Sequence, residues 1–141
     1  MKFVFLTSEF YEEYKNCPEI EQKNTRPYIQ AFITINDLMF AIPLRSKILH
    51  PHVLWTDKAN KCGLDFSKAV IILDEAKYID KTAKPYIRPN EFNELRGKEY
   101  IIKKKMEKYI KDYKKAKSKL DIPLNKQLCK YSTMQYFEDY I

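Results

Sequence analysis

With 141 residues, 45% of them hydrophobic and 32% charged, the chain has the balance of one soluble globular domain, residues 1–141, and not that of a disordered protein. No apolar run is long enough to predict a membrane span, and the apolar start at Met1 to Leu6 is too short for a signal peptide, so we expect a cytoplasmic protein with no membrane partner. Three widely spaced cysteines, Cys17, Cys62 and Cys129, predict reduced thiols rather than a disulfide framework or a metal site.

The first predicted elements are a strand and a short helix. The apolar run Lys2 to Leu6 is typical of a strand. Thr7 and Ser8 are residue types that cap helix N-termini, and the acidic residues after them suit a first helical turn. We expect this helix to end before Pro18.

A β-hairpin is predicted next. Pro27 to Ile35 is rich in β-branched and aromatic residues, Asn36-Asp37 is a turn pair, and Leu38 to Leu44 returns as the antiparallel partner. Because residues equidistant from a hairpin turn face each other, Tyr28 should lie close to Arg45.

The middle of the chain predicts further strands. Val53 to Trp55 suggests a short strand, and Gly63 suggests a turn. The continuous apolar run Ala69 to Leu73 favours the central strand of the sheet. Tyr78-Ile79 and Tyr86-Ile87 are interpreted as short edge strands.

Helices dominate the last third of the sequence. One starts at Pro89, Gly97 interrupts it, and a long helix runs from Lys98 until Pro123 stops it. Its apolar seam follows helical spacing through Ile102, Met106, Tyr109, Tyr113, Ala116 and Leu120. Ser132-Thr133 suggests the cap of a last helix. The predicted class is therefore α+β, a small antiparallel sheet or barrel with a long basic helix and shorter helices against it.

The long helix also concentrates the positive charge of the chain. Residues 98–120 contain ten lysines and three acidic residues, whereas the remaining residues have equal numbers of basic and acidic side chains. A solvated helix face is the competing interpretation, but charge concentrated in this way favours a polyanion partner, and we predict RNA. The predicted RNA-binding residues are Arg26, His52, Lys98, Lys103, Lys104, Lys105, Lys108, Lys111, Lys114 and Lys115.

Reactive side chains crowd the end of the second hairpin strand. Arg45, Ser46, Lys47 and His50 follow it closely, and the hairpin brings Tyr28 beside them. Each residue type alone is usually structural or merely exposed. Together they suit RNA cleavage without a metal, which needs proton transfer to and from the reacting oxygens and positive charge on the phosphorane. His50 suits proton transfer, Arg45 or Lys47 the charge, and Ser46 and Tyr28 hydrogen bonds to phosphate.

Other chemistries have weaker support in the sequence. His50 and His52 have metal-pair spacing, but no carboxylate or cysteine cluster accompanies them. No paired-acid motif of a two-metal nuclease is present, and two distant glycines cannot form a phosphate loop. We therefore predict no metal and no cofactor. A nucleophilic pair of Ser46 and His50 remains a minor alternative.

Several short motifs in this order resemble one protein family. In chain order they are Lys2 to Thr7, Arg26-Pro27-Tyr28, Ile42 to His50, Gly63 to Ala69 and Tyr131 to Met134. Over nearly its whole length the chain resembles the ToxN/AbiQ/CptN toxins of type III toxin–antitoxin systems, and is most similar to the CptN branch.

The resemblance implies a metal-independent endoribonuclease on a twisted antiparallel sheet similar to the MazF/Kid toxins, with added helices. It implies a product with a 2′,3′-cyclic phosphate, an RNA pseudoknot antitoxin cut from a repeated transcript, and a closed 2:2 or 3:3 protein–RNA ring. Maintenance and abortive phage defence are the implied roles.

At the level of residues, the resemblance extends to Tyr28, Ser46, Lys47 and His50. Whether Arg45 or Lys47 replaces the family lysine stays open, and Gln30 lies where some members have another lysine. His52 has no firm counterpart.

The sequence thus predicts a sequence-selective endoribonuclease toxin that is inhibited by its own RNA. A non-catalytic RNA-binding module using the lysine helix is the alternative. A third interpretation is a DNA-binding or structural protein in which Arg45 and His50 only stabilise a turn.

Overall fold

The computed structural model describes residues 1–21 and 27–141, so the predicted role of Arg26 lies outside the described residues. Seven strands form an antiparallel sheet in the order β4-β5-β3-β2-β1-β7, and β6 pairs with part of β3. This order does not close the sheet within the described ranges, so the α+β class and the antiparallel sheet are confirmed and a barrel is not. The strands are β1 (Lys2–Leu6), β2 (Gln30–Ile35), β3 (Leu38–Arg45), β4 (Val53–Asp57), β5 (Cys62–Asp65), β6 (Val70–Ile71) and β7 (Ile79–Asp80).

Five α-helices accompany the sheet in the part of the chain that is described, and short 3₁₀ turns join several elements. The helices are α1 (Ser8–Glu13), α2 (Glu75–Tyr78), α3 (Pro89–Leu95), α4 (Glu99–Lys117) and α5 (Pro123–Tyr131). The 3₁₀ turns are Lys58–Asn60, Phe66–Lys68, Thr133–Tyr136 and Glu138–Tyr140. Among the described helices, none has the continuous apolar length that crossing a membrane requires.

The predicted β1 and α1 are confirmed. β1 has the predicted bounds, and the Thr7 hydroxyl caps α1 by accepting from the Phe10 amide, at 3.3 Å. The helix ends at Glu13, well before Pro18.

The hairpin of β2 and β3 is confirmed and fixes the register of the sheet. Asn36 and Asp37 both have positive φ, 50° and 66°, which is the geometry of a tight hairpin turn whose twist matches the strands. The register pairs Gln30 with Pro43, and its continuation places Tyr28 opposite Arg45. The Ile29 carbonyl, just before the start of β2, accepts a hydrogen bond from the Leu44 amide at 2.8 Å, so the pairing with β3 extends beyond the first residue of β2.

The apolar seam of α4 is confirmed along the helix but not beyond it. Its five members within α4, Ile102, Met106, Tyr109, Tyr113 and Ala116, are all buried in the core. Leu120 is exposed because α4 ends at Lys117. Pro123 does not terminate this helix but begins α5, since the first turn of a helix tolerates a missing amide hydrogen.

Several predictions about the middle of the chain are wrong. The apolar run at 69–73 is not the central strand: only Val70–Ile71 pair, with part of β3, and the run is apolar because most of it is buried in the core. β3 is central instead, with β2, β5 and β6 as partners. Tyr86-Ile87 forms no strand. Near the C-terminus, the predicted cap at Ser132 is confirmed, but the helix that it begins is the short 3₁₀ helix Thr133–Tyr136 and not an α-helix.

Gly63 lies inside β5 rather than in a turn. It pairs with Arg45 of β3 on one side and with Trp55 of β4 on the other. A Cβ at this position would overlap the Leu54 carbonyl oxygen and come within 2.8 Å of Val53 Cγ2. The glycine is therefore required by the close approach of β4.

Replacing Gly63 by alanine should destabilise the fold by about 1–3 kcal/mol, because the added methyl group meets backbone atoms that cannot move independently. Urea unfolding measures the change. Gly97→Asn is the matched control: Gly97 has a φ of +71°, which asparagine tolerates, and a Cβ added there would have no atom within 4 Å. A Gly63→Ala protein as stable as this control would contradict the packing argument.

Candidate active site

A buried ion pair joins the ends of β3 and β5. Arg45 ends β3 and donates from Nη1 to Oδ2 of Asp65, at 2.5 Å, and the Asp65 side chain is fully buried. The second terminal nitrogen of Arg45 lies 2.9 Å from Oε1 of Glu21. The antiparallel register of β3 and β5 brings the two side chains together, because Arg45 pairs with Gly63 two residues before Asp65.

The other oxygen of Asp65 accepts hydrogen bonds from the turn that follows β5. Oδ1 accepts from the Ser67 hydroxyl at 2.6 Å and from the Ser67 amide at 2.9 Å. Nε2 of His50 lies 3.1 Å from the same oxygen. Asp65 therefore links Arg45 on one side to His50 and Ser67 on the other.

The hydrogen bonds of His50 define its tautomer. Its Nδ1 accepts from the His52 amide at 3.0 Å, so in the neutral ring the proton is on Nε2, which faces Asp65 and the Ser67 hydroxyl. Both ring nitrogens are thus engaged in bonds within the protein. His50 holds Asp65 in place in this arrangement.

The pKa values of this network follow from burial and charge. Burial alone raises the pKa of Asp65, but hydrogen bonds from His50, Ser67 and Arg45 outweigh it and hold that pKa below its ordinary value. Burial likewise lowers the pKa of Arg45, and the hydrogen bond and charge of Asp65, with the charge of Glu21, reverse that effect. Asp65 is therefore ionised and Arg45 charged at neutral pH.

The C-terminal segment fixes the turn that carries Ser67. The Thr133 hydroxyl lies within hydrogen-bond distance of the carbonyl oxygens of Ser67 and Ala69. The next residue back, Ser132, accepts from the hydroxyl of Tyr109 in α4, at 2.7 Å. The motif at 131–134 thus braces the motif at 63–69 from across the fold.

Three of the predicted catalytic residues line one cavity of about 290 Å³. Tyr28, Arg45 and Ser46 lie in its wall, and Cζ of Arg45 is 5.9 Å from the centroid of the Tyr28 ring. The predicted proximity of Tyr28 and Arg45 is therefore confirmed. The full lining is Tyr28, Ile29, Leu44, Arg45, Ser46, Cys62, Tyr86, Ile87, Arg88 and Glu91.

Lys47 and His50 are not part of this lining. Lys47 is exposed and has a φ of +58°, which turns the chain sharply after Ser46. In the described part of the chain, His50 is connected to the cavity through Asp65 and Arg45. The structure therefore brings Arg45, and not Lys47, into contact with Tyr28.

His52 belongs to a different part of the surface. Its ring contacts the edge of Tyr109, with centroids 5.3 Å apart, and it lines a cavity of about 160 Å³ together with Lys105 and Lys108 of α4. Burial, followed by the nearby His50, lowers the pKa of His52 below its ordinary value. His52 is therefore neutral at pH 7.

The predicted RNA-binding lysines are distributed around the exposed surface of α4 and do not form one stripe along it. Lys111 and Lys114 line a third cavity, of about 340 Å³, beside the hairpin turn at Asn36. Four of the eight form ion pairs at the surface, which are Lys98–Glu94, Lys103–Glu99, Lys104–Glu107 and Lys108–Asp112. Such exposed pairs are weak and can exchange an acid for a phosphate.

Sequence reasoning did not identify four residues of this site. Glu21, Asp65, Ser67 and Lys68 were not among the predicted site residues. Lys68 is half-buried, donates to the Tyr131 carbonyl at 3.0 Å, and has a pKa lowered mainly by burial. The segment Asp65 to Lys68 did contribute to the family resemblance, and that was the one available signal.

No protein-family model matches the chain, and neither the curated proteins nor the solved structures compared with it include a match. The family resemblance of the sequence motifs therefore stays a prediction.

Replacing Asp65 by asparagine should destabilise the protein by about 3 kcal/mol at pH 7, because the partly buried charge of Arg45 loses its closest partner. The pKa of Asp65 is lowered in the folded state, so its contribution is complete above about pH 4 and is lost as the pH falls through the folded value. The stability difference should therefore shrink in acid. Urea unfolding between pH 7 and pH 3 measures it.

Asp121→Asn is the control for this prediction, since Asp121 is exposed. A deficit for Asp65→Asn that is the same at pH 3 and pH 7 would contradict the ion-pair explanation.

Proposed function

We propose that the chain is a metal-independent, sequence-selective endoribonuclease toxin of a type III toxin–antitoxin system, similar to the ToxN/AbiQ/CptN family. The observation that carries the proposal is a charged Arg45, fixed by buried Asp65, in one cavity wall with Tyr28 and Ser46. A fixed cation beside two hydroxyl donors suits the phosphorane of an RNA cleavage reaction.

The proposed reaction is attack of a ribose 2′-hydroxyl on the adjacent phosphorus. A base takes the proton of the 2′-hydroxyl, the 2′-oxygen forms a bond to phosphorus, the bond to the 5′-oxygen breaks, and an acid protonates that oxygen, so that a 2′,3′-cyclic phosphate and a 5′-hydroxyl result. Ser46 and Tyr28 donate hydrogen bonds to the phosphate oxygens, and Arg45 supplies positive charge. Lys47, exposed next to Ser46, can approach the phosphate from solvent.

His50 has a defined place in this proposal. As arranged here it positions Arg45 through Asp65. Proton transfer between His50 and RNA requires either the bond from the His52 amide or the contact with Asp65 to open. Cleavage through His50 therefore involves a local rearrangement of residues 50–52.

The proposed partner is a small pseudoknot RNA in a closed 2:2 or 3:3 ring with the protein. Lysines on several sides of α4 support this part, because an alternating ring requires each protein to contact RNA on more than one side. The open antiparallel sheet is compatible with a twisted sheet of the MazF/Kid type.

A non-catalytic RNA-binding module is the second candidate. It is favoured by one observation: both nitrogens of His50 and both terminal nitrogens of Arg45 have protein partners. In that case the same lysines bind RNA and the network only stabilises the turn.

Purified wild-type protein should cut single-stranded RNA in the presence of EDTA and leave 2′,3′-cyclic phosphate ends. Ser46→Ala should lower the cleavage rate by at least about a hundredfold, through loss of a phosphate donor, with RNA affinity nearly unchanged. Single-turnover cleavage and filter binding measure the two effects. The matched control is Ser8→Ala, an exposed serine at the start of α1.

If the wild-type protein leaves the RNA uncut, the nuclease proposal is refuted and the non-catalytic RNA-binding module is the surviving candidate. Loss of cleavage on adding EDTA would refute the metal-free mechanism.

Neutralising the lysines beside His52 should weaken RNA binding more than neutralising lysines on the outer side of α4. Lys105→Gln with Lys108→Gln should lower the slope of log affinity against log salt by about two. Lys104→Gln with Lys115→Gln removes the same charge from exposed positions of α4 that line neither of the two cavities beside the helix, and is the control. Equal losses in the two variants would show that charge alone, and not its position, determines binding.

A further inference from the structure

The cavity beside Arg45 contains a buried carboxylate that the cleavage proposal does not use. Glu91 in α3 is only 7% exposed at its side chain, yet it lines the cavity. One of its oxygens, Oε2, accepts from the buried Thr56 hydroxyl of β4 at 2.5 Å. This bond joins α3 to the edge of the sheet and fixes the position of the carboxylate.

The second oxygen of Glu91 has a much weaker interaction. Nε of Arg88 lies 3.9 Å from Oε1, which is beyond hydrogen-bond distance. Among the described residues, Thr56 is the one close hydrogen-bond donor to Glu91, and a buried carboxylate with one such donor is costly unless a further donor reaches it. Glu91 therefore presents acceptor capacity to whatever occupies the cavity.

The remaining lining supplies the other contacts that a nucleotide needs. Tyr86 is 78% exposed, and residues 81–88 form no helix or strand, so its ring is open to a stacking partner at the rim. Arg88 is also largely exposed there, and its guanidinium can bind a phosphate by two hydrogen bonds. Aromatic stacking together with an arginine is how single-stranded RNA is commonly held.

We propose that this cavity binds one nucleotide of a single-stranded RNA and that Glu91 selects its base. An exocyclic amino group of adenine, cytosine or guanine donates to Oε1 of Glu91, the base stacks on Tyr86, and Arg88 binds the neighbouring phosphate. Uracil has no amino group, and its N3–H lies between two carbonyl oxygens that a carboxylate repels, so the cavity discriminates against uridine. The proposal rests on the proposed function, since this nucleotide would lie beside the bond that is cut.

The test measures how tightly each of the four nucleoside 3′-monophosphates binds to the full-length protein. Each nucleotide is titrated to millimolar concentration, and binding is detected by NMR chemical-shift changes or by calorimetry. The adenosine, cytidine and guanosine nucleotides should bind about tenfold more tightly than the uridine nucleotide. Glu91→Gln should reduce that difference to about twofold or less. Glu94→Gln, a change at an exposed position of the same helix, should preserve it.

Tyr86→Ala keeps the experiment decisive if Glu91→Gln does not fold, because Tyr86 is exposed. It should weaken all four nucleotides by about tenfold, through loss of stacking. Equal binding of the uridine nucleotide by the wild type, no binding of any nucleotide, or wild-type binding by Tyr86→Ala would each overturn the proposal.

The binding test does not depend on catalysis. Selective nucleotide binding by a protein that leaves RNA intact would support the cavity and refute the nuclease. Cleavage of RNA by a protein without this nucleotide preference would do the reverse.

Discussion

A carboxylate enclosed by protein must be paired with a cation or neutralised, and Asp65 is paired with Arg45. That requirement organises the neighbouring structure. β5 must approach β3 closely enough for the two side chains to meet, and Gly63 permits β4 to lie against β5 at the same place. Arg45 bonds to Oδ2 of Asp65, and Ser67 and His50 supply hydrogen bonds to the other oxygen, Oδ1. The ion pair is thus the centre of the candidate site, and it also connects the neighbouring strands β3 and β5.

In the proposed function, this network separates the residues that position Arg45 from the side chains that contact RNA. Asp65 and His50 are connected to each other, and Asp65 holds Arg45. The side chains available to a ligand, Ser46 and Lys47, lie just beyond them on an exposed turn. A rigid support beneath exposed donors is the arrangement that a preorganised phosphate site needs. It also explains why His50, which stands out in the sequence as a reactive residue, makes contacts typical of a structural one.

Features specified by local chemistry were predictable from the sequence, and features specified by packing were not. The turn residues Asn36 and Asp37 determine the hairpin register, so the proximity of Tyr28 to Arg45 followed directly. Gly63 was misplaced because its role depends on a neighbouring strand rather than on its own turn. Asp65 and Glu91 carry no signal of their own, since an isolated acid looks the same in sequence whether solvent or a buried arginine faces it.

Tyr109 touches two parts of the site at once. Its ring contacts His52, whose amide donates to His50, and its hydroxyl binds Ser132, next to the residue that braces the Ser67 turn. Helix α4 is therefore mechanically connected to Asp65 by two routes. If the lysines of this helix bind RNA as proposed, a displacement of α4 on binding would reach Asp65 through both routes, and by thermodynamic linkage occupancy of the cavity would then affect RNA binding at the lysines to the same extent.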